Sequence, residues 1–489
     1  MAVLSLCFIL FAVTASAAEN RPNVLFLVID DLNTWLLSNP DRYTGKVIAP
    51  NLQRLAESGM NFTQAFTASP KCSPSRTAFL FGVAPWKSGA YDNAVKPETV
   101  NAVLEKTTSM PALFRKHGYY TSKVGKVSHG FSQKGEWEVD QRIGGRDPYP
   151  PDAPLFGPKI DNKGKPVRKN ERDWGPTHLP ESEMGDTRSA DFAIAELGKT
   201  HDKPFFIACG LFHPHMPWYV PQKYLDMYPL KDVVLPARNP DDLDDLPEIA
   251  RNLVGSWSAK VSTPDEERSA IQGYLASTTY ADAQMGRVLD ALEKSPYKDN
   301  TIVVLLSDHG FHLGEKDHLQ KGTLWEEATH SLLMFRVPGV TKAKQECARP
   351  VSFLDLYPTL ADLAGLPKPA HLDGRSLLPL LKDPKTPWTF PALSAYQGHM
   401  SIRTDQYRFI RYTDGSTELY DRSKDPREWV NQTNNPEYFV IKQKLADSLP
   451  PQDQMVPHPG YVSSPPCCSR RWPCCTSLIR PRRNGVESR

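Results

Sequence analysis

Three stretches of the chain are apolar without interruption and then stop abruptly at polar residues. Asn23 to Ile29 runs into Asp30-Asp31, Phe205 to Leu211 into His213-Pro214-His215, and Thr301 to Leu306 into Ser307-Asp308-His309. Unbroken runs of this length predict central strands covered on both faces. Between them, apolar residues recur at three- and four-residue spacing in Leu52 to Gly59, Met110 to Gly118 and Tyr280 to Lys294. These predict helices, the first two closed by glycine. Strands alternating with helices predict an α/β sheet, in which ligands collect at the carboxyl ends of the strands. The acidic and imidazole residues fall at those ends.

The pattern changes after Leu380-Leu381. Leu393 to Arg411 and Glu418 to Asp421 predict short antiparallel strands, with Asp414-Gly415 as a turn, and 436–448 predicts a helix. The expected organisation is a large domain over 19–384, a small subdomain over 385–450 and an irregular, disordered-type tail over 451–489. At the other end, the apolar Leu4 to Val13 followed by Ala15-Ser16-Ala17 predicts a signal peptide over 1–18, cleaved near Ala17. An exported protein, periplasmic or extracellular, is therefore expected. That run is too short to span a bilayer comfortably, and no later stretch is long and apolar enough to do so.

Composition adds three constraints. A chain of 489 residues can bury a sizeable core, and 45 prolines point to a sheet framework carrying elaborate loops. The formal charge is +2, but six arginines against Asp453 and Glu487 put a net +4 in the tail, which leaves −2 for the rest. Global charge thus gives no support to nucleic-acid binding. Of eight cysteines, four (467, 468, 474 and 475) crowd the tail, so the body is no disulfide scaffold. Cys209, inside an apolar run, reads as a buried core thiol.

Cys72-Ser73-Pro74-Ser75-Arg76 brings in candidate chemistry. Ser73 as cap and Pro74 at the first helical position predict a helix ending near Gly82, with Cys72 at its positive end. Asp30-Asp31, read alone, is a helix cap or a turn more often than a metal site. Together with Asp308-His309 at a second strand end it makes three carboxylates with little counter-charge, which would repel unless a cation joined them. Oxygen ligands favour a hard ion, Ca²⁺ or Mg²⁺. Lys126 and His129 near a strand end, read alone, are solvated surface.

C-x-P-x-R followed by Leu80-Phe81-Gly82 resembles the signature of type I, formylglycine-dependent sulfatases, and the likeness extends over most of the chain, nearest to the iduronate-2-sulfatase branch and its bacterial relatives. The resemblance implies an alkaline-phosphatase-like α/β fold, with a large mixed sheet between helices and a small C-terminal antiparallel subdomain. It implies that a formylglycine-generating or equivalent maturase oxidises Cys72 to an aldehyde whose hydrate is the nucleophile. One calcium ion would be held by Asp30, Asp31, Asp308 and His309, with modified Cys72 completing the shell. Lys126 and Lys321 would bind sulfate, and Arg76 would hydrogen-bond the diol or the ligating carboxylates. His215 would face the leaving oxygen and His129 would lie near the nucleophile. His213 has no counterpart and reads as loop.

The implied activity is hydrolysis of sulfate esters on sugars, with uronic-acid-containing or related sulfated glycans as substrates. Residues 131–180 and 218–260 are expected to shape the pocket. Trp218 and Tyr219 suit either stacking on a sugar ring or plain core packing. Two other readings remain open on sequence: a phosphonate or phosphodiester hydrolase of the same superfamily, and an exported glycan-binding pseudo-sulfatase.

Overall fold

A computed structural model describes residues 21–36, 42–94, 97–148, 150, 173–258, 261 and 263–458. The expected signal peptide and the cysteine pairs of the tail lie outside the described residues. In chain order the elements that frame the site are β1 (Asn23–Ile29), α1 (Pro50–Ser58), β2 (Met60–Phe62), α2 (Cys72–Phe81), α3 (Met110–Lys116), β3 (Tyr120–Gly125), β4 (Val139–Gln141), α4 (Gly185–Leu197), β5 (Phe205–Leu211), α5 (Pro264–Lys294), β6 (Thr301–Ser307), β7 (Leu333–Arg336), β8 (Gln345–Cys347) and α6 (Leu356–Leu363). They are followed by β9 (Ala392–Tyr396), β10 (His399–Arg403), β11 (Tyr407–Arg411), β12 (Thr417–Asp421) and α7 (Phe439–Asp447).

The large sheet has the order β8-β2-β7-β6-β1-β5-β3-β4. β7 runs antiparallel to both its neighbours and the other pairs are parallel, so the sheet is mixed. The three apolar runs are its adjacent central strands β6, β1 and β5. Val24, Phe26 and Val28 face one core together with Phe206, Ala208, Ile302, Val304 and Leu306. Leu25, Leu27 and Ile29 face the other with Phe205, Ile207, Cys209, Val303 and Leu305. Residues on both faces lose their water, at about 1.5–3 kcal/mol for each large side chain. That is why no polar alternation is tolerated there.

α5 begins at Pro264, well before the predicted Tyr280, and Thr263 caps it by accepting from the Glu266 amide at 3.2 Å. Its first half breaks the apolar period with Ser277, Thr278 and Thr279, all buried. Thr278 and Thr279 satisfy their hydroxyls on the carbonyls of Tyr274 and Leu275, at 3.0 and 3.1 Å. Such back-bonding lets hydroxyl residues sit in the interior of a buried helix.

β9 to β12 form the separate four-stranded antiparallel sheet that the C-terminal pattern predicts. Met400, Ile402, Phe409 and Leu419 of this sheet pack with Ala68, Ala78, Trp86 and Tyr91. The small sheet therefore backs onto α2, the helix that carries Cys72. No helix among the described residues is long and apolar enough to cross a membrane.

Candidate active site

Cys72 is itself the first residue of α2, preceded by extended Lys71 at φ −149°, ψ 145°. Ser73 is not the cap: its amide is taken by Asn93 Oδ1 at 2.9 Å, and the Ser75 amide closes the first turn on the Lys71 carbonyl at 2.9 Å. Gly82, at φ 68°, ends the helix as predicted, because only glycine takes that left-handed position without strain. All ten residues of α2 are buried.

β1 and β6 are parallel neighbours with Ile29 opposite Ser307, so the next residues of the two strands emerge side by side. The Asp308 amide donates to the Ile29 carbonyl at 3.1 Å, and the Asp31 amide donates to Asp308 Oδ1 at 3.2 Å. Arg76, one helical turn beyond Cys72, places Nε and a terminal nitrogen each 2.9 Å from Asp308 Oδ2 and lies 3.3 Å from Asp30 Oδ1. Lys126, just past the end of β3, pairs with Asp30 Oδ2. Lys321 Nζ is 2.5 Å from Asp31 Oδ1.

The carboxylates are thus not short of counter-charge, which corrects the expectation from spacing alone. Three bases from distant segments each face one or more of them. Burial and the neighbouring Cys72 work against ionisation of Asp30, yet Lys126 and Arg76 hold it below the usual carboxylate range. Asp308, with burial dominating and Asp30 beside it, is pushed up to about 6 despite Arg76.

Cys72 Sγ lies at the centre, 3.4 Å from His309 Nε2 and 3.9 Å from Lys126 Nζ. Burial by itself would raise its pKa. Lys126, Lys321 and hydrogen bonds from His129 and His215 reverse this and hold the thiol well below its ordinary value. Cys209 shows the contrast: equally buried but with no base beside it, it is pushed up. His215 Nδ1 is 2.6 Å from the Met216 carbonyl, so it carries a proton, and Nε2 faces the cluster 4.0 Å from Asp31 Oδ2.

The residues present fit a hard divalent cation. One ligand atom each from Asp30, Cys72, Asp308 and His309 lie within 4.8 Å of one another. Asp31, Cys72 and His215 form a second such group, so Asp31 stands beside the first set and not within it. Oδ1 of Asp30 is buried without a hydrogen bond. His309 Nδ1 meets the Gly310 carbonyl at 2.9 Å, which turns Nε2 toward the cluster as a ligand needs. Asp308 and the Cys72 thiolate outweigh burial and push this imidazole up to about 9, so ligation requires loss of that proton.

All ten candidate residues (Asp30, Asp31, Cys72, Arg76, Lys126, His129, His215, Asp308, His309 and Lys321) therefore meet in one place. His213 is no open loop residue: it is buried and pairs with Asp186 Oδ2 at 2.7 Å, an interaction that outweighs desolvation and raises its pKa. Trp218 and Tyr219 are core, not sugar platforms. Their polar atoms bond the Pro214 carbonyl and Asp173 Oδ2, each at 2.6 Å.

Two contributors escaped the sequence. Asn93 orients the start of α2, and Phe212 lies 5.3 Å from Lys126 Nζ and 4.7 Å from the His215 ring, with Arg146 at 5.9 Å. For Phe212, its place directly after the β5 run was the available signal; Asn93 had none. A cavity of about 390 Å³ shares Lys126 with the cluster and is also lined by Lys123, Ser128, Ser132, Asp140, Gln141 and Arg142.

A family model described as "Sulfatase" matches residues 22–366. The chain belongs to the sulfatase family. Its members are sulfuric ester hydrolases, and a second model, "N-sulphoglucosamine sulphohydrolase, C-terminal", matches 314–454. A sulfatase of Formosa agariphila is 36% identical over 444 residues, covering 87% of this chain and 85% of that one. Human iduronate 2-sulfatase is 31% identical over 412 residues, covering 75% and 73%. A solved phosphonate monoester hydrolase from Silicibacter pomeroyi superposes with a TM-score of 0.72 at 22% identity, covering 87% of this chain and 94% of that one, a likeness of fold.

Proposed function

We propose that this sulfatase hydrolyses sulfate esters on acidic sugars, using residue 72 as formylglycine and one calcium ion. The observation that carries this reading is the burial of Cys72 among Lys126, Lys321 and three histidines, against the carboxylates of Asp30 and Asp308. A buried thiol so surrounded is a reactive position and not a packing residue.

Asp30, Asp308 and His309 would hold the calcium, with Asp31 alongside; bound there, it supplies Lewis acidity and positive charge to a sulfate oxygen. Oxidised residue 72 supplies an oxygen nucleophile with a second hydroxyl on the same carbon, which a thiol or serine lacks. Lys126 and Lys321, each fixed by a carboxylate, present two ammonium groups to the remaining sulfate oxygens without having to reorganise. Arg76 locks the two ligating carboxylates in place. His215, whose Nδ1 proton is committed to the Met216 carbonyl, delivers a proton from Nε2 to the departing sugar oxygen when it is an imidazolium. His129, which stands beside residue 72, takes a proton from its second hydroxyl.

An acidic sugar is favoured over a neutral or cationic alcohol by the cavity beside Lys126. Lys123, Lys126 and Arg142 outnumber its one carboxylate, Asp140. The human relative's name, an iduronate sulfatase, points the same way.

Mass spectrometry of the peptide containing residue 72, after expression with a maturase, tests the nucleophile. A lighter, hydrazide-reactive aldehyde is expected, and an unmodified thiol in turning-over protein overturns the assignment. Turnover of nitrophenyl sulfate should exceed that of the matching phosphodiester; the reverse order favours the phosphonate-type alternative. Against defined sulfated oligosaccharides, Arg142→Gln should raise KM for acidic members and leave nitrophenyl sulfate unaffected. Export is tested by amino-terminal sequencing of the mature protein, expected to start at Ala18 or Glu19.

A further inference from the structure

Lys316 is a buried ammonium group that the reaction does not use. Its side chain is 1% exposed, and Nζ donates to Asp242 Oδ1 at 2.6 Å and to the Glu428 carbonyl at 2.5 Å. The same nitrogen lies 5.3 and 5.4 Å from the Trp325 and Tyr420 ring centres. Lys316 sits in the tip of a short hairpin in which His312 and Leu313 pair with Gln320 and Leu319, and Lys321 is the next residue. The backbone of this hairpin is unusual: Gly314, Lys316, Asp317, Gln320 and Gly322 all have positive φ. Three of these carry side chains, and each is strained there unless its surroundings hold it.

The surroundings hold it from two sides. Asp317 accepts from the Ser258 amide and the Ser256 hydroxyl, both at 2.7 Å, which ties the tip to the 255–258 segment. Lys316 ties it to the C-terminal region. Glu428, its carbonyl partner, is also left-handed (φ 59°) and fully buried, and its carboxylate accepts from Arg408 Nε at 2.6 Å and from the Glu326 amide at 2.9 Å. Arg408 lies in β11 and also pairs with Glu326, just beyond Lys321. The hairpin is therefore clasped at its tip and after its end by Arg408 of the small sheet and by Glu428 in the turn segment that follows that sheet.

Buried ion pairs are a poor route to stability, because desolvation cancels most of their attraction and apolar packing does as well. A buried lysine beneath a strained backbone makes sense where position matters. We propose that Lys316 is a positioning residue for Lys321: through Asp242 and the Glu428 carbonyl it sets where the Lys321 ammonium stands against Asp31 and the substrate sulfate. This rests on Lys321 having the sulfate-binding role proposed above. It makes the C-terminal region a working part of the anion site.

The test is a coupling measurement with nitrophenyl sulfate on the matured full chain. Lys316→Met should lower kcat/KM on the order of 10- to 100-fold, the scale of an ångström-sized misplacement. In a Lys321→Met background the same change should cost less than about twofold, because contributions made through one shared group do not add. Equal losses in both backgrounds, or unaltered kcat/KM in folded Lys316→Met, overturn the proposal. If Lys316→Met does not fold, Lys316→Met with Asp242→Asn removes the carboxylate left unpaired and is measured in the same two backgrounds. Failure of that variant to fold assigns Lys316 to stability and overturns the proposal too. No turnover in the unaltered chain refutes the functional reading; turnover with additive losses refutes only the clasp.

Discussion

At the scale of single residues, charge partners decide what each group becomes. Cys72 and Cys209 are both fully buried, yet one thiol is driven toward the thiolate and the other away from it, because only Cys72 has ammonium groups and imidazoles within reach. The same logic makes Arg76 the most sensitive residue of the cluster. It is wholly buried, and Asp30 and Asp308 outweigh the cost of burial to hold its proton tightly. Arg76→Met should destabilise the fold by about 3–5 kcal/mol, since buried Asp308 loses its guanidinium partner and Asp30 loses one of its two cations. Chemical denaturation measures this. Calcium should recover part of the loss, because a cation between the carboxylates substitutes for the missing guanidinium.

At the scale of elements, the positions of strand ends and turns carry the site. Gly210, in β5, lies directly against the Lys126 carbonyl, and a Cβ there would meet backbone and not a side chain that can move. Gly210→Ala should therefore shift the Lys126 segment and reduce turnover at least tenfold while the protein stays folded, as read by near-UV circular dichroism beside kcat/KM. The small sheet has its own pH sensitivity. His399, in β10, is buried, and its Nδ1 accepts from the Thr413 amide at 3.2 Å. Burial, with His458 nearby, lowers its pKa to about 4 against the pull of Asp414. The unfolded chain therefore binds this proton more readily below about pH 6.5, and stability falls as the pH falls toward 4. This single group should cost about 2 kcal/mol between pH 7 and pH 5. His399→Gln should flatten the slope in urea melts at the two pH values, and an unchanged slope would exclude His399 as its source.

At the scale of the whole molecule, two bodies of structure converge on one helix. The large sheet delivers Asp30, Asp31, Asp308 and His309 from two adjacent strand ends, and the small sheet backs the helix that presents Cys72. A divalent ion at this junction would tie the large-sheet strands to α2. Chelation should lower the thermal midpoint and abolish turnover, and added calcium should restore both. The stabilisation is expected to reach about 2.7 kcal/mol when the ion stands a hundredfold above its Kd. A midpoint indifferent to chelator and calcium would count against the ion.

Much of this was legible in the chain because it is local. Strands β1, β5 and β6 announce themselves as apolar runs since both faces are buried, and the polar residues after them sit at strand ends by simple continuity. Cys72, Pro74 and Arg76 fall in one short motif, and Gly82 ends the helix where its sequence says. The early half of α5 was hidden because its threonines bond back to their own helix. The tertiary structure alone decided which base faces which carboxylate, that His215 groups with Asp31, that Trp218 and Tyr219 turn inward, and that Lys316 reaches Asp242 and Glu428. Those pairings join segments far apart in the chain, and neither periodicity nor spacing encodes contacts that exist only once the sheets have packed.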